Sequence, residues 1–158
     1  MLPREYLIDT TAYLSPRHVL EGLTPDLADT GVPGGPHTIA GIVAHMTFWQ
    51  AWFLGRCDGT AGPMPASAAL GWPAPEAGRW DALRDDFLTG LDRLVALGEV
   101  ADHGQPIDPP IEFPPLARYT VGDVLVHVGA HNAHHLGQVV LLRQLLGAWP
   151  PPAGSWTW

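Results

Sequence analysis

Proline and glycine, 17 and 18 residues of this 158-residue chain, are gathered into four clusters, and those clusters constrain the fold more than any other feature. They are GVPGGP at 31–36, GTAGPMPASAALGWPAPEAG at 59–78, GQPIDPPIEFPP at 104–115 and WPPPAGSW at 149–156. Proline inside a helix removes a hydrogen bond and clashes with the preceding turn, while glycine adds an entropic cost, so helices belong between the clusters.

The intervals read accordingly. In the first, Ser15 followed by Pro16 is an N-cap and first-turn pair, and Val19, Leu20 and Leu23 supply an apolar face. A short helix between about Pro3 and Leu14 is expected to precede it. The second helix, from about Thr38 to Leu54, contains IAGIVAHMTFWQAWFL; apolar nearly all round, it is expected to be the most buried. The third, from about Arg79 to Leu97, carries Trp80, Leu83, Phe87, Leu91, Leu94 and Val95 on one face, with Arg84, Asp85, Asp86, Asp92 and Arg93 elsewhere. The fourth, from about Val121 to Leu146, opens on Thr120 with Asp123 three residues on and is stopped by Gly147 and Pro150. With no β-like alternation, the expectation is an all-α four-helix bundle forming one domain over residues 1–158. The connections flanking the third helix are too long for simple hairpins, and at least one is expected to cross an end of the bundle.

Composition narrows the function. Eight Lys plus Arg against 16 Asp plus Glu give a net charge of -8, and the basic residues form no cluster, which argues against nucleic acid and anionic membrane as partners. Cys57 is the only cysteine, so neither an internal disulfide nor a thiolate metal cluster is available. No run approaches the ~18 apolar residues of a membrane span, and the N-terminus has no signal-peptide pattern; a soluble, cytoplasmic protein is expected.

The chemistry lies in HNAHHLGQ, residues 131–138. Residues four apart on a helix share a face, so His127, His131 and His135 form a ladder with Gln138 in the same arc. A pair spaced as His131 and His135 can hold one divalent ion, and a third ligand must come from another element. His45, alone in the apolar helix, needs a partner for its imidazole and is the best candidate. The expected ligands are therefore His45, His131 and His135. Behind them, Gln138 is a candidate to hydrogen-bond a ligand ring. His127 is a fourth ligand, a supporting group or a core histidine, of which support is favoured; His134 is a neighbour, a proton carrier or an interface residue. His18, His37 and His103 are assigned to the surface.

The segments HTIAGIVAHMTFW and TVGDVLVHVGAHNAHHLGQVVLLRQLLG together resemble the DinB-like (DinB/YfiT) superfamily of four-helix-bundle metalloenzymes, over about residues 15–150. The most specific part is the His131–His135 pair followed by Gly137 and Gln138. The resemblance implies one metal ligand from the second helix and two from the last, at positions 45, 131 and 135. It also implies zinc or nickel as the ion, homodimers, and reactions that include thiol-dependent transfer and isomerisation. Two positions depart from the pattern: Leu136 stands where many members carry arginine, and Gly41 where an acid often follows the cap. The first removes a cation that could meet an anionic cosubstrate.

Three neutral histidines leave a position open on the ion, which is the arrangement of a catalytic centre. The leading expectation is a metal-dependent enzyme, thiol S-transferase-like or hydrolase-like, acting on a small molecule. Phe48, Trp49 and Trp52 are expected to supply some of its pocket. A metal-binding or stress-associated bundle without catalysis is the alternative, and a metal-free bundle is a second. Trp149, Trp156 and Trp158 either pack back on the bundle or join a dimer interface.

Overall fold

A computed structural model describes residues 3–8, 12–60 and 62–155, and all the regular structure among them is helical. The helices are α1 (Pro3–Leu7), α2 (Pro16–Leu20), α3 (Pro25–Asp29), α4 (Ile39–Asp58), α5 (Trp80–Val100) and α6 (Val121–Leu145). Short 3-10 turns occupy Ala68–Gly71 and Pro114–Leu116. No described helix is long and apolar enough to cross a membrane.

The three later helices lie where the spacing places them, while the first helical region is divided into short pieces. Ser15 caps α2 by accepting from the His18 amide, as expected, but Thr24 repeats the device by accepting from Leu27, and Pro25 begins a new helix. Proline suits the first turn of a helix and not its interior, so Pro16 and Pro25 cannot share one continuous helix. Thr38 caps α4 by accepting from the Gly41 amide at 3.0 Å, the half of a capping box that does not involve the side chain at position 41. At α6 the Thr120 and Asp123 box is complete in both directions.

Helix direction matters most for function. Ala44 and Phe48 of α4 share a surface hollow with Arg79 and Leu83, and Gln50 and Leu54 share the next with Thr89 and Arg93, so α4 and α5 run parallel. His45 meets His135 whereas Phe53 meets His127, so α6 runs antiparallel to α4. A connection between parallel neighbours must return along their whole length. Residues 59–79 do so: Trp52 Nε1 donates to the Pro63 carbonyl at 3.3 Å, Trp72 lies on His45, and the Gly78 amide reaches Asp29. This connection therefore runs along the bundle instead of crossing its end.

Residues 101–120 close the end. The Val121 and Gly122 amides donate to the carbonyls of Gln105 and His103, both at 2.9 Å, and Ile107 and Ile111 are buried beneath. Arg56, buried in the last turn of α4, donates to Pro109 O at 3.2 Å and Gly62 O at 2.9 Å, tying the two connections together. At the other end, the Trp149 ring lies 5.7 Å from the Arg143 guanidinium carbon, so this tryptophan packs back on the bundle. Trp156 and Trp158 fall outside the described residues.

One buried polar link crosses the core. Gln50 Nε2 donates to the Phe87 carbonyl at 2.8 Å and Asn132 Nδ2 donates to Gln50 Oε1 at 3.1 Å, joining α4, α5 and α6. Gly90 makes room for it, since a Cβ there would stand 2.0 Å from Gln50 Nε2. Buried hydrogen bonds of this kind fix register, because any slip breaks them; Asn132 Oδ1 stays buried with no hydrogen-bond partner among the described residues.

Candidate metal centre

The register set by that link brings His45 of α4 against His131 and His135 of α6. Each offers a ring nitrogen, and the three nitrogens lie within 4.8 Å of one another. His45 and His135 are buried and His131 is half-buried. The closest pair is His45 Nε2 and His131 Nε2, 3.1 Å apart. Two imidazole nitrogens bound to one ion at about 2.0–2.1 Å stand roughly 2.8–3.4 Å apart for bond angles between 90° and tetrahedral. The observed separation falls inside that range.

Protonation is arranged to suit a cation. His45 Nδ1 lies 2.6 Å from the Gly71 carbonyl, which can only accept, so Nδ1 carries the proton and Nε2 presents its lone pair. His135 Nδ1 donates likewise to Gln138 Oε1 at 2.7 Å. Burial is the main cause lowering the pKa of all three rings. For His131 burial, then the neighbouring His135 and His45, push it down to about 4. For His45 the Gly71 hydrogen bond opposes the lowering, and for His135 the Gln138 hydrogen bond does. Neutral imidazole is the form that binds metal.

The partner of His45 comes from the returning connection, and glycine is required there. A Cβ on Gly71 would stand 2.6 Å from Trp49 Nε1 and 2.8 Å from two carbons of the same ring, so only glycine lets the backbone approach closely enough. The next residue, Trp72, stacks on His45 with ring centroids 3.6 Å apart and planes 10° from parallel. His37 stacks on the other face of the indole at 3.9 Å and 8°. His37 is thus half-buried in an aromatic sandwich beside the centre, not the plain surface residue its place near a helix start implies.

The supporting groups separate clearly. Gln138 orients His135, and its Nε2 lies 3.4 Å from Nε2 of exposed His134, which puts His134 one contact further out. His127 is hydrogen-bonded through Nδ1 to Tyr119 Oη at 3.0 Å and packs on Phe53, a supporting position one turn from His131. His18 and His103 are exposed as expected, with contacts to Ser15 Oγ and the Gly98 carbonyl.

The aromatic residue against the triad is Trp72. Trp49 and Trp52 pack under the returning connection, and Phe48 lines the hollow towards Arg79. Leu136 is buried and lines a different cavity with Leu14, Val19 and Trp149. An arginine at 136 would point to that cavity and not to the three histidines, so this departure says less about the centre than the sequence implies.

The fold and the triad agree with what comparison finds: the sequence profile of the DinB superfamily matches residues 11–139. The chain belongs to the DinB superfamily. No match was found among curated proteins. Within this DinB chain, the histidines at 45, 131 and 135 are close enough together to hold one metal ion. Gly71, Trp72, Gln50 and Asn132 are the residues that spacing alone missed. The only local signal for the first two was a GWP triplet inside a loop.

Proposed function

We propose that this DinB protein is a divalent-metal-dependent enzyme, using zinc or nickel to activate a thiol or a water molecule for reaction with a small-molecule substrate. The supporting observation is the tautomer control: two of the three imidazoles have Nδ1–H fixed on an acceptor, so their Nε2 lone pairs are available in the cluster before any ion arrives. An ion held by three neutral imidazoles keeps positions free and supplies Lewis acidity that lowers the pKa of a bound thiol or water. The protein's own groups do the rest. Gly71 and Gln138 hold ring orientation, Trp72 covers one face of His45, and burial keeps the imidazoles neutral. No carboxylate hydrogen-bonds to any of the three rings among the described residues, which favours thiol activation, where no separate base is needed once the thiol is ionised.

Metal content of protein purified without a histidine tag is the first test. The expectation is about one equivalent per chain, lost in His131→Ala. Less than about one-tenth equivalent, with no uptake on titration, removes the reading. With metal present, a panel of small thiols and electrophiles separates the enzyme from a bundle in which the ion only pins α4 to α6. Turnover that needs both metal and thiol supports the proposal, and a metal whose removal lowers stability with no turnover on any pair supports the non-catalytic reading.

A further inference from the structure

Residues 62–78 of the returning connection are held at both ends and at one point between. At the start the Gly62 and Pro63 carbonyls accept from Arg56 and Trp52, and at the end the Gly78 amide donates to Asp29 Oδ2 at 3.2 Å. Between these anchors, the one hydrogen bond joining the connection to the helices, among the described residues, runs from His45 Nδ1 to the Gly71 carbonyl. Gly71 is also the only residue of 62–78 that is buried. Beyond it, Pro73, Pro75 and Glu76 share a hollow of about 370 Å³ with Ala44, Thr47 and Phe48 of α4, so this stretch is not packed down on the bundle.

That single interior attachment is made to a candidate metal ligand. His45 keeps its Nδ1 proton on Gly71 and turns Nε2 towards His131, so the two sides of one imidazole link the connection to the position of the ion. An imidazole that binds a divalent cation through Nε2 takes on part of its charge, and hydrogen bonds from a charged donor are roughly twice as strong as neutral ones. Trp72, the next residue, lies flat on His45 and edge-on to His135, with ring centroids 3.6 and 5.6 Å away. Seating Gly71 therefore also covers two of the three ligands, which are 5 % and 7 % exposed. Prolines at 63, 65, 73 and 75 restrict the conformations open to the detached segment, which lowers the entropy lost on seating.

We propose that residues 62–78 form a strap whose closure over the centre is coupled to ion occupancy: ligation at His45 Nε2 tightens the bond from Nδ1 to Gly71 and holds Trp72 down, and the strap loosens when the ion leaves. Coupling of this kind is reciprocal, so whatever loosens the strap also weakens ion binding. The inference rests on the reading of the triad as a metal centre and adds a conformational response that the reading does not require.

Hydrogen exchange of the full chain, metal-free and with one equivalent of zinc, tests the coupling on samples whose bound metal is measured. The Leu70 and Trp72 amides close the 3-10 turn that carries Gly71, donating to the Ser67 and Ala69 carbonyls at 3.1 Å. Exchange in a peptide spanning 66–72 should slow by about fivefold or more with zinc, while a peptide spanning 103–118 in the other connection stays within about twofold. Asp29→Ala removes the anchor at Gly78 without touching a ligand; it should speed exchange at 66–72 and lower zinc affinity by about threefold or more. Asp29→Asn keeps an acceptor there and should match the parent. One equivalent of bound zinc with unchanged exchange at 66–72, equal slowing in both connections, or zinc affinity in Asp29→Ala equal to the parent's would overturn the strap and leave the metal centre standing. Failure to take up zinc would remove both.

Discussion

The connections 59–79 and 101–120 have similar lengths and are both rich in proline, yet they contribute differently to the molecule. The second joins helices that already meet end to end and fills the space there with Ile107 and Ile111. The first joins parallel helices, so it must travel back along α4 and past the face where the histidines converge. On the way it delivers one carbonyl and one indole to His45. Helix direction, more than loop composition, decides which connection takes part in the site.

Truncation should separate the two roles. Ile111→Ala, at a position 1 % exposed, should cost about 2–5 kcal/mol in a denaturant titration. Metal affinity of the folded variant should stay within about twofold of the parent, since Ile111 belongs to the connection that closes the end and not to the one that supplies the carbonyl and indole to His45. Gly71→Val should do the opposite. Its Cβ would meet the Trp49 ring at 2.6–2.8 Å, displacing the carbonyl that holds His45, and metal affinity should fall about 100-fold. If both variants lose stability and neither loses metal, the distinction between the connections is wrong.

The degree to which each feature was readable in the sequence follows the same division. Helices α4, α5 and α6 were legible because caps, stops and apolar spacing all act within a few residues. So was the His131 and His135 pair, a property of one helix. His45 was found from the cost of an isolated imidazole in an apolar helix, which is a thermodynamic argument and not a pattern. What lay hidden depends on residues distant in sequence. Gly71 matters because of Trp49 and His45, and Gly90 because of Gln50; neither relation exists until the chain has folded. The division of the first region could have been read, because Thr24 and Pro25 repeat the Ser15 and Pro16 signal.

The histidine cluster should also distinguish itself by pH. His131 is held to about 4 in the native state, mainly by burial, against an unfolded value near 6.5. The unfolded chain then binds protons first as pH falls, so this contribution is fully present above about 6.5 and is lost progressively towards 4. His45, His127 and His135 are shifted in the same direction, burial leading in each case. Metal-free protein should show a falling urea midpoint between pH 7 and 4.5, and His131→Asn should flatten that fall. A midpoint independent of pH in this window would mean the rings are not buried neutral.

The smallest effect is expected at Gln138, and it tests whether ring orientation counts apart from ligation. Its side chain is exposed, so Gln138→Ala should change stability by no more than about 0.5 kcal/mol. The lost acceptor lets water compete for His135 Nδ1–H and frees the ring to turn, and metal affinity should drop about tenfold. Gln138→Glu keeps an acceptor at the same distance along the side chain, with a charge that makes the imidazole a better donor to a cation, and should restore affinity to at least that of the parent. Equal affinities for the alanine variant and the parent would mean that His135 is held by packing alone, leaving orientation by hydrogen bonding to the Gly71 carbonyl on the returning connection and its partner His45.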